Sequence, residues 1–246
     1  MIKVFILKIS FFLMLPSFSN TFDEQGLDNF GNTALHHVVL KSDREKIESL
    51  ISKGINVNQK NQKGNTALHV ASMTSVEIVK LLLDKGANIN VQNNKKETAL
   101  HLASRKGKKK ISEHLIERGI NVNLQNIDGS TALHIASAAN QAEIVKRLID
   151  KKANLNKQNK DGNTPLHFAS VSASIVNSPK ALNVLVRQKG IDLNKKNKDG
   201  NTPLHNAYLV GRSGKNIKAI DLLKKYGADS NIRNNDGQLA KDYKKN

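Results

Sequence analysis

The chain has 246 residues, 38% hydrophobic and 24% charged, a balance that suits a soluble folded protein and excludes a multispan membrane protein. Lysine and arginine number 39 against 21 acidic residues, so the net charge is +18 and low-salt attraction to acidic surfaces follows whatever the specific partner. Zero cysteines exclude disulfides, thiolate zinc sites and cysteine nucleophiles together, leaving stability to apolar burial and backbone hydrogen bonding.

Met1-Ile2-Lys3 leads into a mostly apolar run from Val4 to Leu15, then Pro16 and Ser17-Phe18-Ser19. Charged, apolar and small-residue regions in that order resemble a secretory signal peptide over 1–19, cleaved after Ser19, with a lead-in over 20–27. The expected destination is the periplasm or the exterior, and an uncleaved segment would anchor the chain to a membrane. The run falls short of the roughly 20 apolar residues that span a bilayer, and Lys8 interrupts it, so the mature chain is expected to have no stable span. A buried N-terminal helix is the alternative, but the pattern spares no polar face for water.

From Asp28 the chain repeats itself. Thr33-Ala34-Leu35-His36, Thr66-Ala67-Leu68-His69, Thr98-Ala99-Leu100-His101, Thr131-Ala132-Leu133-His134, Thr164-Pro165-Leu166-His167 and Thr202-Pro203-Leu204-His205 recur with their threonines 33, 32, 33, 33 and 38 residues apart. Each threonine suits a helix N-cap, where a hydroxyl accepts from an otherwise orphan N–H. Pro165 and Pro203 then fall at the first helical position, where a missing N–H is harmless.

A second, amphipathic helix follows, clearest in Val76 to Lys85, with Ile78, Val79, Leu82 and Leu83 on one face. Gly54, Gly86, Gly119, Gly190 and Gly227 stand where that helix should exit through a left-handed residue, and the fourth repeat carries Lys152 instead. Polar turns such as Asn58 to Gly64 and Asn156 to Gly162 suit a tight hairpin needing positive φ. The fifth and sixth repeats are enlarged around Ser172 to Lys180 and Val210 to Asn216, which predicts longer loops between their helices. The stretch Asp236 to Tyr243 looks like a polar C-terminal cap.

A period near 33 with T-[AP]-L-H, six times in register, resembles the ankyrin repeat family. The resemblance implies an all-α solenoid of helix-turn-helix units with short β-hairpin fingers, in which the fingers and first helices form a concave binding surface. Its domain covers 28–246, with repeats at 28–60, 61–92, 93–125, 126–158, 159–196 and 197–233 and a partial cap at 234–246. It also implies a non-enzymatic module that binds another protein.

His36, His69, His101, His134, His167 and His205 occur one per repeat without the close pairing or recurrent carboxylates of a metal site, so a structural role beside their threonines is expected. Each imidazole should hydrogen-bond its own helix start and the neighbouring turn, while His37 and His114 are unrepeated. No catalytic residue, cofactor site or metal site is expected, since no nucleophile elbow or phosphate-cradling glycine loop is present.

The densest charge feature is Arg105-Lys106-Gly107-Lys108-Lys109-Lys110. On charge alone it is a solvated face. By resemblance, Arg105 and Lys106 occupy first-helix positions used for recognition, which makes the cluster a candidate contact for an acidic protein, extended by the turn lysines Lys60, Lys63, Lys95 and Lys96. Nucleic acid is the competing partner for so basic a chain, bound through phosphates, but 4% aromatics and no tryptophan leave no stacking platform for single strands. The reading is a monomeric protein-binding module. Its Lys- and Asn-rich turns and signal-like start suggest a bacterial exported protein acting on a host.

Overall fold

The computed structural model describes residues 26–210 and 217–244. The expected signal segment and the stretch 211–216 of the sixth repeat lie outside the described residues. The chain divides into two compact units, the first ending at Asn94 and the second beginning at Lys95.

The first unit holds two helix pairs, α1 (Ala34–Leu40) with α2 (Arg44–Ser52) and α3 (Ala67–Ala71) with α4 (Val76–Asp84). Helices this short are unstable alone and persist because their apolar faces are buried against neighbours. Leu35, Val38 and Val39 of α1 close over Ile47 and Leu50 of α2, and α1 also packs on α3. The anticipated face of α4 is buried at Ile78, Val79, Leu82 and Leu83, with Leu81 beside them. The helix starts at Ser75, whose hydroxyl accepts from the Ile78 N–H at 3.4 Å, as the Asp43 carboxylate accepts from Lys46 ahead of α2.

The second unit continues the pattern with α5 (Ala99–Arg105), α6 (Lys109–Glu117), α7 (Ala132–Ala138), α8 (Ala142–Asp150), α9 (Pro165–Val176), α10 (Lys180–Leu185), α11 (Pro203–Val210) and α12 (Lys218–Lys225), then a 3-10 turn over Ala240–Lys244. Each first helix packs on its own second helix and on the next first helix. Leu100, Leu115, Leu133, Ile144, Leu148, Leu166, Leu182 and Leu185 are fully buried. Truncating one of them, such as Leu133→Ala, removes contacts worth about 2–5 kcal/mol. Alanines at Ala99, Ala103, Ala132 and Ala136, all buried, let the first helices approach closely.

Two expectations are corrected. No β-hairpin fingers are present: among the described residues β pairing is limited to two isolated bridges, Leu27 with Thr33 and Arg233 with Leu239. The reason lies in the side chain that opens the turn, aspartate at Asp28 and asparagine in the later repeats. Asn159 Oδ1 accepts from the N–H groups of Asp161 (3.0 Å) and Asn163 (2.9 Å), so a side chain takes the bonds that a second pair of strand residues would need. The next free donors reach out to the neighbouring turn, Lys160 N–H to the Asp128 carbonyl at 2.9 Å and Lys198 N–H to the Asp161 carbonyl at 3.0 Å. The turns are therefore stacked on each other, while within each the backbone closes only a tight loop, as from the Asn159 N–H to the Asn163 carbonyl at 2.9 Å. Gly162 is required there twice over, since its φ is +78° and a Cβ would lie 2.8 Å from the Lys198 nitrogen.

The second correction concerns the fifth repeat. Its extra residues do not form a loop around Ser172 but lengthen the first helix to twelve residues, ending at the left-handed Asn177 (φ 49°). Small residues Ser172, Ala173 and Ser174 can be buried against neighbours, so continuing the helix satisfies the backbone that a loop would leave exposed.

Candidate functional site

The six recurrent threonines and histidines form one arrangement. Thr33, Thr66, Thr98, Thr131 and Thr164 are extended N-caps in capping boxes where histidine replaces the usual acidic or amide residue, and Thr202 makes the same bonds to His205. In the fourth repeat the Thr131 N–H donates to His134 Nδ1 at 3.1 Å, with the Thr131 hydroxyl 2.9 Å from the same nitrogen. Accepting there fixes the tautomer, so Nε2 carries the proton and donates it to the Asn163 carbonyl at 3.1 Å. The same outward bond runs from His36 to Asn65, His101 to Ser130, His167 to Asn201 and His205 to Gln238. Each of these imidazoles therefore ties a helix start to the turn of the following repeat.

Burial holds His134 and His167 down to about 4, and it also holds His36, His101 and His205 below the ordinary 6.5. A ring that is neutral, buried and bonded at both nitrogens has no lone pair to offer a metal or a substrate proton. Among the described residues no group of three or more histidines and carboxylates is placed to hold a metal ion. His37, unrepeated, lies 2.9 Å from the buried Asp28 carboxylate. Burial would raise that carboxyl, but donors from Asn32, Phe30 and His37 outweigh it and hold it below 3.8.

The basic residues are distributed unevenly. Lys60 and Lys63 belong to the first unit, where the Lys60 ammonium donates to the Gln92 carbonyl at 2.8 Å and Lys63 is exposed in its turn. Lys95, Lys96, Arg105, Lys106, Lys108, Lys109 and Lys110 belong to the second unit. Arg105 is not a free charge there: its guanidinium is ion-paired with Glu97, itself 4% exposed. That pair draws the end of α5 to the turn carrying Lys95 and Lys96, the latter at φ 54° where most turns have glycine. Nothing in the spacing of Glu97 and Arg105, eight residues apart, marks them as partners. The only local signal is an acid at the turn position held by asparagine in Asn65, Asn163 and Asn201.

Lys108, Lys109 and Lys110 stand at the N-terminus of α6. Lys108 occupies the N-cap, no side chain caps the helix, and its first turn has no acidic residue. Three ammonium groups there oppose the helix dipole, whose positive end favours anions, and no side chain accepts from the first N–H groups of the helix. Lys109 is partly compensated by Glu143 at 3.5 Å. Among the described residues Lys106, Lys108 and Lys110 form no ion pair, and Lys106 and Lys110 are exposed. An uncapped helix start ringed by ammonium groups is complementary in charge to a carboxylate or a phosphate.

Comparison with known proteins covers most of the chain. A family model described as ankyrin repeats (3 copies) matches residues 9–93, 35–126 and 100–197, and one described as ankyrin repeat matches 199–235. The chain is similar to the crystal structure of the human ASB11 ankyrin repeat domain, with TM-score 0.74 and 25% identity, covering 85% of this chain and 90% of that one. It is also similar to the ankyrin repeat domain of Bcl-3, described as a unique member of the IkappaB protein family, with TM-score 0.73, 26% identity, and coverage of 85% and 92%. A search of curated proteins found no match.

Proposed function

The chain belongs to the ankyrin-repeat family, and we propose that it is a non-enzymatic module that binds a protein with an acidic surface, acting as a monomer. The observation that carries the choice of partner is the start of α6. Lysines at an N-cap and first turn cost helix stability, typically about 1 kcal/mol for the missing cap alone, so folding is not what they serve. An anionic group bound there would neutralise the lysines and accept the orphan N–H groups together. Stacked repeats present such side chains on helices already ordered, which limits the entropy lost on binding.

Export followed by action on a host protein is part of the same proposal, supported by the charged, apolar and small-residue order of residues 1–19. An exported form beginning at Asn20 agrees with it, and one retaining Met1 contradicts it.

The test is capture of partners from host lysates at physiological salt, comparing the natural chain with a variant carrying Lys106→Ala, Lys108→Ala and Lys110→Ala. A protein retained after nuclease treatment and lost with the variant supports the reading. Loss of capture on nuclease treatment favours the competing one, a basic scaffold held to nucleic acid through phosphates, whose affinity would fall steeply with salt.

A further inference from the structure

The added turn of α9 has no counterpart in the seven-residue helices α5 and α7 of the same unit. Its residues divide sharply: Ser172, Ala173 and Ser174 are buried, whereas Ile175 and Val176 are 66% and 53% exposed. The turn is firmly held, because Ser174 Oγ donates to the Ala207 carbonyl of α11 at 3.3 Å. Just beyond it, Asn140 Nδ2 donates to the Ser178 carbonyl at 2.8 Å and Asn140 Oδ1 accepts from the Ala181 N–H at 2.9 Å. Two β-branched hydrophobic side chains are thus fixed in water by bonds to the repeats on either side.

Because α9 packs beside α11 and also against α12, the end of α11 and the start of α12 come to the same end of these repeats. Leu209 there is 40% exposed and Ile217 is 51% exposed. The sequence has no Asp or Glu from Gly162 to Ile191, and in the first turn of α12 the exposed Lys218 is accompanied by one exposed carboxylate, Asp221. Exposed Lys180 and Lys218 open α10 and α12, and among the described residues neither forms an ion pair.

We infer that this end of the fifth and sixth repeats is a docking surface for an amphipathic segment of a partner protein, one whose apolar side chains are flanked by carboxylates. The inference rests on the protein-binding reading above but lies at a different place from the lysines of α6. Ile175, Val176 and Leu209 supply apolar anchors that need no further ordering, and Lys180 and Lys218 select for carboxylates and repel a basic segment.

The test titrates the full chain, at about 0.15 M salt, with a fluorescent helical peptide of about 16 residues bearing leucines on one face and glutamates beside them. Two control peptides replace the leucines by serine or the glutamates by lysine. The leucine and glutamate peptide should bind, and Ile175→Ser with Val176→Ser should weaken it by about tenfold or more with the melting temperature unchanged. Lys180→Glu with Lys218→Glu should weaken the same peptide and admit the lysine one. Equal binding of the serine-faced peptide overturns the surface, as does failure of every peptide to bind. Binding lost only on substituting Lys106, Lys108 and Lys110 also overturns it, while leaving the protein-binding reading intact. A concentration-dependent dimer in sedimentation, abolished by the two serine substitutions, would make the occupant a second copy and overturn the inference in its stated form.

Discussion

Arg105, the last residue of α5, is ion-paired with Glu97, a carboxylate buried in the turn that precedes the same helix. Removing the arginine leaves Glu97 without its guanidinium in a site closed to water. Arg105→Ala should therefore cost about 1–3 kcal/mol in urea unfolding, discounted from the fully buried case because the arginine side chain is 45% exposed. Placing asparagine at 97 in the Arg105→Ala background should recover most of that loss, since asparagine serves the same turn position elsewhere. Additive losses in the double variant would show that the two residues are not coupled. Arg105 is for this reason a poor probe of partner binding, and Lys106 a clean one.

Lys108→Asp offers a direct test of whether the start of α6 gives up stability for binding. An aspartate at the N-cap should accept from the orphan N–H groups and pair with the helix dipole, raising stability by about 0.5–2 kcal/mol. The same change should weaken capture of an acidic partner. A variant that is stabilised yet binds unchanged would assign Lys108 to the solvated surface alone.

Stability should fall as pH drops from 6.5 to 4. The imidazoles of His134 and His167 are held down to about 4 in the folded chain and return to 6.5 on unfolding. Above 6.5 both states are neutral and the histidine bridges contribute in full. Below it the unfolded chain binds protons that the folded one refuses, and the difference for each histidine reaches about 3 kcal/mol by pH 4. The urea midpoint should decline through this window, and the decline should be shallower in His134→Gln, although that variant is also less stable at pH 7. A midpoint constant from pH 7 to 4.5 would contradict the neutral, doubly bonded ring.

Lys152 stands at φ 59° where α8 exits, the place glycine takes after α4 and α6. At Gly119, after α6, a Cβ would meet nothing within 4 Å, so left-handed backbone strain is the only cost of a side chain at such an exit. Lys152→Gly should therefore stabilise the protein by roughly 0.5–1 kcal/mol in urea, once the added freedom of the unfolded chain is allowed for. An unchanged or lower midpoint would count against that account.

The sequence by itself determined the repeat, its helix starts and its helix exits, because these depend on contacts within a few residues. A threonine three residues before a histidine, a proline at the first helical position and a glycine at the exit each act locally, and six copies average out the noise of any one. The turns were legible as turns but not in their pairing. Whether Asn159 closes its loop through its side chain or leaves the backbone to form strands depends on where the neighbouring turn offers a carbonyl, as Asp128 does to Lys160. Tertiary structure likewise decided the fate of the extra residues in the fifth repeat, since a helix through Ser172 and Ser174 is favoured only when α11 lies alongside to bury them. It also decided which charges are free. Arg105 and Lys106 are adjacent in sequence and alike in charge, yet one is claimed by Glu97 and the other is not, and that distinction arises only when the turn and the helix end are folded against each other.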